Sequence, residues 1–134
     1  MAGISPQEAF NAARDHMRHP FAWGLRSDCT AACVVFAALH GKDPLEGYAS
    51  KYKTAMGAAR ILKRAGGYLE WCNATFDLIS VDDPQCGDLS LIPSADALGS
   101  ALAISMGGAE FACKSKAGMV IIKSKILGAW TCRF

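Results

Sequence analysis

Cys29 is the residue whose type and place most invite chemistry. It follows Ser27-Asp28 and opens a stretch, Ala31 to Leu39, that is apolar throughout. At a helix start, unpaired backbone N–H groups and the positive end of the dipole stabilise a thiolate. The spacing therefore predicts a lowered thiol pKa and a competent nucleophile. A nucleophile is only half of a hydrolase: the leaving group must receive a proton, normally from a histidine oriented by a third polar residue. A buried, inert thiol acting as a small hydrophobe fits the same position, and both readings stay open at this level.

Three histidines are available, His16, His19 and His40. Cys29 and His40 lie eleven residues apart. On one continuous helix that is roughly 16 Å, which excludes contact. His40 reads as a favourable charge at a helix C-terminus. His16 and His19 read as the surface of an amphipathic helix, with His19 the nearer to Cys29 in sequence. Asp88, before a strand, is expected to fix a turn through its backbone.

Metal chemistry finds little support. Cys29 and Cys33 stand one helical turn apart, and His16 and His19 share helical spacing, but no Cys-x-x-Cys knuckle accompanies them. The other four cysteines, at 72, 86, 113 and 132, are scattered. No metal site and no cofactor is expected, and phosphate loops and Gly-x-Ser-x-Gly elbows are absent. Met1 to Phe10 has no apolar run, so no secretory signal is expected and the thiols read as free.

The elements that must position these residues follow from local signals. The chain has 134 residues, 51% hydrophobic and 19% charged, which suits one domain with a filled core and excludes a disordered chain. Fourteen Lys and Arg against twelve Asp and Glu leave +2, too balanced for nucleic acid. The longest apolar run, nine residues, is too short for a membrane span. Ser5-Pro6-Gln7-Glu8 is a capping box that predicts a helix to about His19, stopped by Pro20. Ser27 or Asp28 is expected to cap a buried central helix from Cys29 to Gly41. Glu46 to Tyr52 can hold a short helical piece, and Thr54 caps a third helix ending at Gly66-Gly67.

Beyond Gly67 helical spacing fades. Leu89 to Ile92, Leu98 to Met106, Glu110 to Lys114, Met119 to Lys123 and Ala129 to Phe134 read as strands, with hairpin turns at Gly107-Gly108 and Ala117-Gly118. Helices followed by strands predict an α+β domain with the antiparallel sheet packed on the helices. Charge divides too: residues 67 to 110 carry seven acids and no Lys or Arg, and residues 111 to 134 carry five bases and no acid.

Several of these segments together resemble a known family. Pro20-Phe21-Ala22-Trp23-Gly24 precedes Asp28-Cys29 and the apolar helix; Gly41-Lys42-Asp43-Pro44 follows it; then come Tyr48 to Tyr52, Ala58 to Gly67, and Gly87-Asp88 opening the first strand. From about residue 16 onward this order resembles the NlpC-type branch of the papain-like cysteine peptidases. The closest likeness is to the small phage-encoded NlpC-like proteins found among tail genes.

The resemblance implies one papain-like NlpC-type domain over residues 1–134, with N-terminal helices packed on a C-terminal antiparallel sheet. It places the nucleophile at Cys29. The base falls at Ala101 when the Gly107-Gly108 turn is set in register, and the third polar position falls near Cys113. Alanine transfers no proton, cysteine orients an imidazole poorly, and Thr30-Ala31 replaces the common Ser-Gly. Trp23 would line the cleft beside the nucleophile, so Trp23 and Asp28 become binding candidates.

The implied function is a phage tail component, at the tail tip or in tail assembly, on a degenerate peptidase fold. Its partners would be other tail proteins, and its place the virion after synthesis in the host cytoplasm. The alternative is an active cysteine peptidase or amidase that cleaves peptidoglycan stem peptides, with Cys29 as nucleophile and an unrecognised base. A third reading is a free-standing bacterial domain that binds a peptide or amide without turnover.

Overall fold

The capping box at Ser5 forms as its residues dictate. Ser5 Oγ accepts from Glu8 N at 3.1 Å and Ser5 N donates to Glu8 Oε1 at 3.3 Å, opening α1 (Pro6–Met17). The computed structural model describes residues 3–24, 28–48, 52–95, 98–116 and 118–132. α1 ends two residues before the expected His19, because the chain turns to meet the sheet, where Phe21 N donates to Lys116 O at 3.1 Å.

The central helix α2 (Ala31–His40) starts later than expected. Residues 28–30 form a tighter turn instead, with Ala31 N donating to Asp28 O at 2.9 Å and Ala32 N to Cys29 O at 3.2 Å. The N-cap is Thr30, without a side-chain cap bond, so Cys29 sits one residue ahead of the cap; Ser27 lies outside the described residues. The helix stops as expected at Gly41, in the left-handed region at φ 76°, with its N–H on Ala37 O. Ala31, Ala32, Cys33, Val35 and Phe36 are buried along it, the packing that an uncharged helix requires.

α3 (Ala55–Ala65) is capped by Thr54, whose Oγ1 accepts from Gly57 N at 3.0 Å, and ends at Gly66. The short helical piece anticipated at Glu46 to Tyr52 is a turn over residues 44–47, and residues 49–51 lie outside the described set. α4 (Tyr68–Thr75) was not visible in the sequence. Eight residues, aromatic-rich and uncapped by a side chain, give too little periodicity. Tertiary bonds hold it: Trp71 Nε1–H donates to Tyr48 Oη at 3.2 Å and Trp130 Nε1–H to Asn73 Oδ1 at 3.0 Å.

Six strands follow, β1 (Ile79–Ser80), β2 (Leu89–Pro93), β3 (Ser100–Gly107), β4 (Glu110–Ser115), β5 (Gly118–Lys123) and β6 (Gly128–Thr131). They form one antiparallel sheet in the order β1-β6-β2-β3-β4-β5, so the expected α+β class holds. β1 is the strand that the sequence did not signal, being only two residues long. The turn at Gly107-Gly108 is present, whereas Ala117 and residues 133–134 lie outside the described residues.

Alternation divides the sheet into two faces. Leu89, Leu91, Leu102, Ile104, Ala112 and Trp130 join the core shared with the helices, whereas Ile92, Ala103, Phe111 and Cys113 form a smaller cluster on the reverse face, closed by Ile126. The β5–β6 link explains that inner cluster. Four inter-strand gaps separate these strands; laid flat they span about 19 Å, and the five Cα steps from Lys123 to Gly128 reach roughly 18 Å with strand offset still to cover. The sheet must therefore curl around its reverse face, and that curl buries these side chains. No helix among the described residues is long and apolar enough to cross a membrane.

A Cβ on Gly118 (φ 140°) would lie 2.9 Å from Arg18 O, where backbone cannot yield, whereas one on Gly41 (φ 76°) meets nothing within 4 Å. Gly118→Ala is expected to cost about 2–3 kcal/mol through strain plus clash, and Gly41→Ala about 1 kcal/mol through φ alone. Urea denaturation of the two variants measures both, and the order should not invert.

Candidate functional site

The loop before α2 is organised by Asp28, only 2% exposed. Its Oδ1 accepts from Thr30 N at 2.9 Å and Thr30 Oγ1 at 2.8 Å, and its Oδ2 accepts from Gly24 N at 3.3 Å. The carboxylate thus fastens the Trp23-Gly24 segment to the Cys29 turn, which brings the sequence candidates Trp23, Asp28 and Cys29 into one neighbourhood. Trp23 is half-buried and meets Phe21 edge to face, 4.9 Å between ring centroids. Cys29 is 3% exposed and belongs to the main core.

Two tyrosines that the sequence analysis did not single out as site residues complete this neighbourhood. The Tyr52 hydroxyl is hydrogen-bonded to Asp28 and Thr30; its pKa is pushed well above the ordinary value, first by burial and then by the Asp28 charge. Tyr68 is pushed up in the same direction by burial, reinforced by the nearby Cys29. Tyr68 reaches the site from α4, the helix the sequence hid. With Tyr48, Trp71, Ile61, Leu62 and Thr30 these rings line a narrow apolar cleft of about 20 Å³ between α3, α4 and the turn before α2, room for about one water molecule.

Lys114 is the third addition. It lies in β4 next to Cys113 but on the opposite face, that of Ala112 and Met119, turned toward the helices. It is 7% exposed; burial lowers its pKa, opposed by the Asp28 charge. Strand alternation hides such a residue from sequence reading, since its neighbour in sequence, Cys113, faces the other way.

The histidines stand elsewhere. His40 Nε2 is 2.8 Å from Gly87 O and the ring stacks on Phe36, 4.2 Å between centroids, so it ties the far end of α2 to the loop before β2. His16 and His19 are exposed at the end of α1. Ala101 pairs with Ile92, and Cys113 with Ala103. Cys113 therefore sits in the reverse-face cluster, whereas Ala101, although paired with Ile92, packs in the core shared with the helices. Asp88 fixes a turn, its Oδ2 accepting from Gln85 N at 2.8 Å, as expected.

The remaining thiols are placed for packing. None of the six cysteines is in a disulfide, and burial, then the neighbouring Cys33, pushes the Cys72 thiol well up. Among the described residues, no group of three or more His, Cys, Asp or Glu is gathered to hold a metal ion. The arrangement places tyrosine hydroxyls and the Asp28 carboxylate beside a narrow apolar cleft.

One family model matches, that of a domain of unknown function (DUF6950), over residues 6–132. That range runs from the first residue of α1 to one past β6, so it takes in every helix and strand. No curated protein and no solved structure matches the chain.

The raised tyrosines set a pH limit. A group whose folded pKa lies above its unfolded value contributes stability that is intact below the unfolded value, about 10 for tyrosine, and is lost as pH rises through the folded one. Spectrophotometric titration should show fewer ionised tyrosines at about pH 11 in the native protein than in urea, and Tyr52→Phe and Tyr68→Phe should each remove one late step. Asp28→Ala should cost about 2–4 kcal/mol by urea denaturation, because four donors lose their acceptor at once.

Proposed function

The chain belongs to the DUF6950 family, whose function its name leaves open, and we propose from the site that it is a binding and assembly protein rather than a hydrolase. Its biology, in this reading, is that of a phage tail component at the tail tip or in tail assembly, carried in the virion with other tail proteins as partners. The scaffold is a degenerate NlpC-like cysteine peptidase fold. The observation that carries the reading is the placement of the three histidines, one bonded to Gly87 at the far end of α2, one exposed on α1 and one exposed just after it. A thiol hydrolase without imidazole lacks the group that protonates its leaving amine. Further support comes from the order of segments around Trp23-Gly24 and Asp28-Cys29 and from the antiparallel sheet that follows the helices.

The test is alkylation of Cys29 across pH together with turnover of a muramyl-peptide substrate. The expected result is slow alkylation with no thiolate step well below about 8.5 and no turnover, unchanged by Cys29→Ala. Turnover that disappears in Cys29→Ala overturns the reading. Co-purification with tail proteins from infected cells tests the biological assignment.

One observation favours the second reading, an active peptidase or amidase acting on peptidoglycan stem peptides with Cys29 as nucleophile. Lys114, buried on the helix-facing side with a lowered pKa, is an amine that could serve as base. Lys114→Met separates the two. If the lysine is only packed there, the variant is more stable than the parent at neutral pH, since a cation disfavoured by burial is gone. That gap narrows as pH rises through the lowered folded pKa and is gone above the unfolded value of about 10.4, where the lysine is neutral in both states. Under the second reading, turnover exists and is lost in Lys114→Met as in Cys29→Ala.

A further inference from the structure

The two outer strands of the sheet carry unlike, unpaired edges. β5 closes one side, and its Val120, Ile121 and Ile122 are 38%, 38% and 37% exposed. An edge strand presents a row of unpaired N–H and C=O groups, which folded proteins blunt with charge, proline or a bulge. Here the β4–β5 ladder runs without a bulge from Glu110–Lys123 to Ser115–Gly118, and no charge interrupts the apolar run before Lys123. Exposed Lys116, Lys123 and Lys125 flank it, and no acid occurs from residue 111 onward.

The opposite edge is β1. Ile79 is 44% exposed, and Asp77, Asp82 and Asp83 beside it are exposed, in a stretch without Lys or Arg. Lys42 bridges Asp77 at 3.2 Å, whereas Asp82 and Asp83 make no ion pair among the described residues. One end of the sheet is thus apolar and basic, the other apolar and acidic.

We infer that copies of this chain join head to tail, β5 of one pairing with β1 of the next. Strand direction permits it: six strands that alternate leave β1 and β5 antiparallel to each other. A second copy in the same orientation therefore continues the antiparallel alternation across the junction. Antiparallel pairing sets Lys116, just before β5, against Asp82 and Asp83, just after β1, and Lys123 against the Asp77 side. Pairing β5 with a second β5 would instead bring the lysine flanks of both copies together, which like charge opposes. Because β1 is two residues long, the ladder is brief, and the exposed isoleucines, Val120 and the charges supply most of the contact. The joined surfaces differ, so the assembly is a ring or an open filament rather than a closed dimer. The inference rests on the sheet edges and stands whether or not Cys29 is catalytic.

Sedimentation velocity and light scattering from micromolar to millimolar protein test it. The expected result is an average mass that climbs past the dimer with concentration and falls back as salt shortens the screening length from about 10 Å at 0.1 M to about 3 Å at 1 M. Lys116→Glu should stop assembly, as should Asp82→Lys with Asp83→Lys. Mixing the two variants should restore it, since each supplies the edge charge that the other now lacks. All three positions are exposed, so circular dichroism of each variant should match the parent. A monomer at every concentration, a species that stops at the dimer, or assembly indifferent to the swaps and their mixture would overturn the inference.

Discussion

Asp28 carries a charge taken out of water, and such a charge persists in a fold only where donors surround it. Thr30 supplies two of them and Gly24 a third, while Tyr52 adds its hydroxyl. Those bonds come from segments far apart in their freedom to move: the loop after α1, the turn before α2 and the approach to α3. Satisfying one carboxylate therefore fixes where α2 begins, and with it the position of Cys29. Release that acceptor and the bonds that tie these three segments together are lost.

The chemistry of the neighbourhood follows from this arrangement. Around Cys29 the titratable groups that approach are Asp28, Tyr52 and Tyr68, and burial keeps both tyrosines protonated far above neutrality. Protonated hydroxyls beside an apolar cleft orient a ligand well and accept protons poorly. A scaffold of this kind recognises shape and hydrogen-bonding pattern. Burial loosens the proton of the Lys114 amine, and the Asp28 charge opposes it.

The curl of the sheet links the site to the surface. A four-residue link between β5 and β6 forces the reverse face to be concave, which buries Phe111 and Cys113 and leaves β5 as an outer rim. The same strand that helps enclose the inner cluster thus presents Val120 to Ile122 outward. The long helix-facing side is occupied by α1 and α2, so the edges are where the sheet can meet another chain. Binding at the cleft and contact at the edges use separate parts of the molecule.

Local signals were enough for much of the architecture. The capping boxes and glycine stops at Ser5, Gly41, Thr54 and Gly66 act through bonds three or four residues apart, so the sequence determined three helices by itself. The same holds for the Gly107-Gly108 hairpin and the run of strands, whose alternation is a nearest-neighbour property. α4 and β1 were decided elsewhere: each is too short to declare a period, and each exists because Tyr48, Trp130 and β6 receive it. The start of α2 was likewise shifted by Asp28, a choice made by donors on Gly24 and Tyr52 rather than by the helix. Asp28, Cys29 and Trp23 could be named from order and type. That Tyr52, Tyr68 and Lys114 join them, and that Cys113 turns away, depends on strand pairing and on which face each residue takes, and no single segment encodes those relations.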